Sequence, residues 1–179
     1  MKVSLKRTAI LLGCAVAAAL FASCSKAPVE ENNHPAIAVA EYAVTVNDEM
    51  LEALVVSVEY YDADGTKKTE ILTGPWSKQV ESRLPAYVGA RLHFAVKDGF
   101  DPSESETIRL SYRFAISCGL YAENGTKIEH AISYSNSSAK TIKTDRLAEW
   151  VSHYAQSGIE SALYFITAPD GHANSIGWE

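Results

Sequence analysis

Cysteine is scarce in this chain, with three among 179 residues, at Cys14, Cys24 and Cys118. The first two belong to an N-terminal leader and its end, so the domain that follows keeps one thiol and has no internal disulfide. Cysteine-rich zinc sites are excluded by the same count. The fold must therefore be held by an apolar core. Histidine is sparse too, and none of His34, His93, His130, His153 and His172 stands at HxH or HExxH spacing. There is no GxSxG elbow for a serine nucleophile. Internal repeats and low-complexity segments are absent. Positive charge is in deficit. Three of the 16 Lys and Arg precede Cys24 and no acid does, which leaves 13 cations against 22 acids beyond it, a formal charge of −9. A nucleic-acid partner needs a basic face, so it is excluded. Flat electrostatic docking on anionic lipid is disfavoured for the same reason.

What is present begins with the leader. Met1 to Arg7 is basic without an acid, and Thr8 to Ala22 is an almost wholly apolar run. That run has about 15 residues, where a spanning helix needs about 20, so a cleaved secretory segment is favoured over a retained span. It ends in Phe21-Ala22-Ser23-Cys24, which resembles the lipobox of bacterial lipoproteins, with Phe21 where Leu is usual. Leu11-Leu12-Gly13-Cys14 also fits the box, but cleavage there would leave an apolar core of only about six residues against the 7–15 expected. The reading is a signal peptide over 1–23 and lipid on Cys24. A flexible polar tether follows over 24–35, then one domain over 36–179. An ordinary signal peptide or a retained anchor is the alternative. Two or three acyl chains anchor stably where one is marginal. In lipoprotein families an Asp after the cysteine often retains the protein at the inner membrane. Ser25 stands here, which implies a cell-envelope location at the outer membrane, on its periplasmic or its surface side. Glu30-Glu31 resembles the acidic export signals of surface lipoproteins in Bacteroidota.

Strand patterns dominate the domain. Ile37 to Val46 puts Ala38, Ala40, Tyr42, Val44 and Val46 on one face. Leu54 to Tyr61 alternates in the same way, and Asp62-Ala63-Asp64-Gly65 turns it into a return strand over Lys67 to Leu72. Ser77 to Arg83 and Arg91 to Lys97 are shorter strands. The longest alternation, Ile108 to Leu120, places Cys118 on its apolar face, where a free thiol is a small buried hydrophobe. Glu123-Asn124-Gly125 turns into Ile128 to Tyr134, with His130 expected inward between Ile128 and Ile132. Ser135 to Ala139 reads as a polar loop. Leu147, Trp150, Val151 and Tyr154 recur at helical spacing within a helix at about 145–157. Ile159 to Thr167 is a last strand, followed by a turn and a short tail. The expected class is all-β: an antiparallel immunoglobulin-like β-sandwich of about 7–9 strands with one late α-helix. A lipocalin-like closed barrel, whose late helix also precedes a final strand, is the alternative.

One stretch is similar to a known family. Val56-Ser57-Val58-Glu59-Tyr60-Tyr61-Asp62-Ala63-Asp64-Gly65, then Gly74-Pro75-Trp76-Ser77-Lys78-Gln79-Val80, then Ala90-Arg91-Leu92, resembles the small immunoglobulin-like modules of the mycobacterial membrane proteins that accompany MmpL transporters. Small Bacteroidota lipoproteins carry similar stretches. The likeness covers about 40 residues and departs in the anchor and the late helix. It implies a sandwich and suggests accessory work, and it carries over no active site.

Candidate chemistry is thin. Asp62 to Gly65 lacks the third oxygen ligand and distant Glu of a calcium loop and reads as a turn. Asp98, Asp101, Glu104 and Glu106 read as a solvated acidic loop. No catalytic residue, metal ligand or cofactor is assigned. Aromatics near turns are the residues to watch, because exposed Tyr and Trp suit a protein hot spot or stacking on sugar rings. Trp76 is expected to plug the sandwich edge and Trp150 to seat the helix. Tyr87, Phe100 and Trp178 are the candidate contacts for a ligand or partner. The functional reading is a non-enzymatic interaction or accessory domain, held at the membrane by its N-terminal lipid, with an envelope protein or glycan as partner. The alternative is a binding module for a glycan or small apolar ligand, and an enzyme is the remaining class.

Overall fold

The computed structural model describes residues 33–157 and 161–178. The leader, Cys24 and the tether up to residue 32 lie outside the described residues, as do Gly158 and Ile159. In chain order the elements are β1 (Ile37–Val46), α1 (Asp48–Ala53), β2 (Leu54–Tyr61), β3 (Lys67–Ile71), β4 (Trp76–Arg83), β5 (Ala86–Val96), β6 (Thr107–Tyr121), β7 (Lys127–Lys143), a 3-10 turn (Thr144–Arg146), α2 (Leu147–Ser157), β8 (Ser161–Ile166) and β9 (Ala173–Ile176).

The strands form two antiparallel sheets, ordered β4-β1-β6-β7 and β3-β2-β5-β8-β9. Among the described residues each sheet keeps two edges, β4 and β7 in one, β3 and β9 in the other. The architecture is thus all-β with two open sheets, and the closed-barrel alternative is set aside. The inner faces meet in one apolar core. β1, β2 and β6 build it because each alternates apolar and polar side chains at the pleat's period. Tyr42, Tyr60, Phe114, Leu54 and Leu120 are among its largest fully buried side chains. Burying each is worth roughly 1.5–3 kcal/mol relative to exposure.

The β2–β3 and β6–β7 hairpin turns share one construction. Asp62 N–H donates to Thr66 C=O and Gly65 N–H to Asp62 C=O, with Gly65 at φ 74°. Ala122, Thr126 and Gly125 repeat those bonds, with Gly125 at φ 81°. Only a residue without Cβ adopts that backbone at no cost. Beyond the end of β1, the Asn47 and Glu49 side chains take over the bonding of β6: Asn47 accepts from Ser111 N–H and donates to Arg109 C=O, and Glu49 accepts from Arg109 N–H, each at 2.8 Å.

Trp76 and Glu70 close the side where β3 and β4 edge their sheets. Trp76 meets Tyr60 at 5.5 Å, tilted by 49°, and donates its indole N–H to Glu70 at 2.8 Å. Tyr60 O–H donates to the same carboxylate at 2.7 Å, and Lys78 stands 3.6 Å from it. α2 covers the core elsewhere, seating Trp150 and Tyr154 on Phe94 at 5.2 and 6.0 Å.

Four expectations are corrected. Ser135 to Ala139 is not a loop but the middle of β7, because β6 supplies a continuous ladder: Ser135 lies opposite Ala115, Ser137 opposite Arg113 and Ala139 opposite Ser111. Pairing overrides the weak strand propensity of serine and asparagine. β5 begins at Ala86, five residues before Arg91, in a stretch whose small residues hide its alternation. The tail forms β9 on the edge of β8. His130 faces solvent, because the register shifts between Cys118 and Gly119, setting Ile132 opposite Cys118 but His130 opposite Gly119. One inserted residue turns every later side chain to the other face.

Candidate interaction face

Residues paired across an antiparallel sheet share a face, so the register states what each sheet shows to solvent. The middle of the four-stranded sheet shows Glu41, Ala43 and Thr45 on β1, Arg113, Ala115 and Ser117 on β6, and Ser133, Ser135 and Ser137 on β7, all small, polar or charged. Toward one end the half-buried Ile37, Val39 and Tyr121 share this face. The five-stranded sheet is different. Ile71, Tyr87 and Ile176 are the exposed large hydrophobics among the described residues, at 70%, 42% and 38% exposure. All three lie on its outer face. Ile71 stands opposite Ser57, Tyr87 opposite Phe165, and Ile176 opposite Leu163.

Aromatic rings join across the strands of this face. Tyr87 meets Phe165 at 5.0 Å and stacks on Tyr61 at 5.2 Å. Tyr61 meets Trp178 at 5.6 Å, although that residue lies beyond the end of β9. Trp178 is held by two cations, with the Arg91 guanidinium 4.9 Å from its ring and the Lys67 ammonium 5.5 Å away. Such contacts are electrostatic attraction to the ring quadrupole. Arg91 is itself fixed by Glu59 at 2.5 Å, and His93 Nε2 lies 3.3 Å from the same carboxylate. Burial pushes the Glu59 carboxyl upward, but its hydrogen bonds with Arg91 and His93 outweigh that, so it titrates below its ordinary range. The row is close-packed beneath the rings. A Cβ on Gly89 would stand 2.6 Å from Leu163 Cδ1 and 2.7 Å from the Ala162 carbonyl oxygen.

Two of the three aromatics singled out from the sequence, Tyr87 and Trp178, thus enter one cluster through Tyr61. Phe100 does not. It lies in the loop beyond the far end of β5, packs partly buried against the core and lines a cavity of about 250 Å³ with Glu49, Asp101 and Glu104. Cys24 lies outside the described residues. Phe165, Arg91 and Lys67 were not singled out as contacts. Their strand alternation was visible, but their neighbours are set by pairing between β2, β5 and β8.

The remaining candidate chemistry is structural. Cys118 is buried, and burial pushes its thiol up to about 12, so it stays protonated and is no nucleophile. Asp64 accepts from Thr66 N–H and O–H at 2.9 and 2.6 Å, closing its turn. Among the described residues no group of three His, Cys, Asp or Glu side chains is placed to hold a metal ion. No described helix is long and apolar enough to cross a membrane. No family model matches this chain, and no curated protein matches it.

Proposed function

We propose that this chain is a lipid-anchored lipoprotein of the cell envelope whose β domain is a non-enzymatic interaction or accessory module. Its partner is an envelope protein that docks on the outer face of the five-stranded sheet. The observation that carries this reading is the contrast between the two outer faces: among the described residues one has no exposed large hydrophobic, and the other carries Ile71, Tyr87 and Ile176 together with a Tyr-Tyr-Phe-Trp cluster. Contiguous exposed apolar surface marks contact sites, and Tyr, Trp and Arg dominate binding energy in protein interfaces. A broad sheet face also suits a protein better than a small ligand, which needs concavity. Lipid on Cys24 and the tether beyond it hold the domain at the outer membrane. We read the sandwich as immunoglobulin-like. The support is its two open antiparallel sheets and a chain that crosses between them repeatedly. The segments similar to the MmpL-accessory modules form the β2–β3 hairpin and parts of β4 and β5.

The test uses the full lipidated chain in its native membranes. A photo-crosslinking side chain at Ile71 or Ile176 is expected to give a discrete adduct that Tyr87→Asp removes, while the same side chain at Ser135 gives none. Equal adducts from both faces, no adduct at all, or an adduct that survives Tyr87→Asp refutes the docking face. Mass spectrometry of the N-terminus is expected to find acyl chains on Cys24, and an unmodified terminus defeats the anchor.

A second reading, a binding module for a glycan or small apolar ligand, is favoured by one observation. A cleft of about 560 Å³ lies between the end of β7 and α2, with Trp150 and Tyr154 in its wall.

A further inference from the structure

The chain beyond β9 leaves the line of its sheet. Pairing of β9 ends with Ile176 opposite Leu163, and among the described residues no backbone hydrogen bond holds Gly177 or Trp178. β9 is an edge strand, with β8, β5 and β2 following it inward in that order. Yet the Trp178 ring lies against Tyr61 of β2 and Arg91 of β5. Gly177 and Trp178 therefore fold back over β8 and cross the outer face as a strap. A Cβ on Gly177 would meet nothing within 4 Å, so no packing at that joint opposes its movement.

Beneath the strap the sheet forms a seat for one ring. The β2–β5 register, carried one step past Tyr60 and Ala90, sets Tyr61 opposite Gly89, and Gly89 lies opposite Leu163. Gly89 has no side chain of its own, and Leu163 leans over it to make the floor. Leu163 is only 4% exposed although it points outward, so this patch of the face is covered. Tyr61 and the cations of Arg91 and Lys67 form the walls. Such walls attract the face of any aromatic ring, not an indole in particular. Trp178 is an imperfect occupant. Its indole N–H is enclosed without a hydrogen-bond partner, a state that buried donors rarely keep because it forfeits their hydration. A ring without that donor fits the same seat at less cost.

We infer that Trp178 is a plug on the docking face, and that the partner displaces it by inserting an aromatic side chain with no donor to bury, a phenyl ring. The inference rests on the docking-face reading above. It adds that the face covers itself and names the side chain that opens it.

The seat is tested with Trp178→Ala in the full lipidated chain. Trp178 is no part of the apolar core, so the variant keeps both sheets. The Leu163 methyl resonances are followed while p-cresol, or cyclohexanol as a ring without a π face, is added to millimolar concentration. A plug closed nine-tenths of the time weakens apparent affinity about tenfold, so p-cresol is expected to bind the variant about tenfold more tightly than wild type. Equal binding to both proteins, cyclohexanol binding as well as p-cresol, or no binding at all would overturn the inference. The plug is tested in native membranes with the photo-crosslinking side chain at Ile71. Trp178→Ala is expected to raise the adduct several-fold, about fivefold for a mostly closed plug. An adduct that is unchanged or weaker would overturn the plug and leave the docking face standing. No adduct from either protein would overturn the docking face and this inference with it.

Discussion

Tyr42 offers the sharpest test of how the two sheets are joined. It projects from β1 across the core and ends between two strands of the other sheet. Its hydroxyl donates to the Tyr61 carbonyl at 3.3 Å and accepts from Gly89 N–H at 3.3 Å. The β2–β5 register ends at Tyr60 opposite Ala90, so the hydroxyl stands in for the next rung. Burial raises the phenol's pKa above its ordinary value, so the proton it donates is retained at every ordinary pH. Tyr42→Phe keeps the ring, its volume and its 5.7 Å contact with Tyr60. The change therefore has almost no transfer cost and isolates the hydroxyl. Two long hydrogen bonds are lost, and Gly89 N–H becomes a buried donor without a partner. An ordinary bond contributes about 0.5–1.5 kcal/mol and an orphaned group costs about 1–3, so the expected loss is about 1–3 kcal/mol. With a urea slope of about 1–3 kcal/mol per molar, the unfolding midpoint falls by about 1 M. The Gly89 amide is expected to exchange with solvent faster in the variant. A midpoint within about 0.2 M of wild type, with Gly89 exchange unchanged, would show that the hydroxyl does not complete the ladder.

Three further outcomes are expected. Gly89→Ala sets a methyl 2.6 Å from Leu163 Cδ1 and against the β8 backbone, so β5 and β8 must part. A loss of about 1–3 kcal/mol in denaturant unfolding is expected, and wild-type stability would refute the packing described. Glu59 has a lowered folded pKa, so its contribution is complete above the unfolded value near 4.3 and is lost as pH falls through the folded value. Glu59→Gln is accordingly expected to be less stable than wild type by about 1 kcal/mol at neutral pH, with the gap closing in acid; a gap that is constant or widens in acid contradicts the sign. Cys118, with its thiol pushed up to about 12, is expected to resist an aromatic disulfide reagent in the native state at pH 8 and to react once unfolded in urea. Fast native labelling would place it outside the core.

How far the sequence reveals each strand has a physical cause. Alternation is local, so β1 and β2 can be bounded from the apolar pattern alone, at Ile37–Val46 and Leu54–Tyr61. The buried face of β6 follows in the same way. Both Gly turns are equally local, since a positive φ needs only its own residue. β7 was only half legible, because its serines and asparagine have little strand preference of their own and are ordered by β6. The candidate face was legible in fragments. Tyr87 and Trp178 stood out as aromatics near turns, but so did Phe100, which the fold carries to a different place.

What the sequence determined by itself is therefore the scarcity of cysteine, the acidic charge and the inward faces of the long strands. Each of these is read within a few neighbouring residues. Tertiary structure alone decided that Tyr61, Tyr87, Phe165 and Trp178 share one surface, that Arg91 and Lys67 hold the last of them, and that Lys140, Lys143 and Arg146 border a cavity. Those neighbours come from strands far apart in the chain, and only pairing between them, with a helix laid across the gap, brings the side chains together.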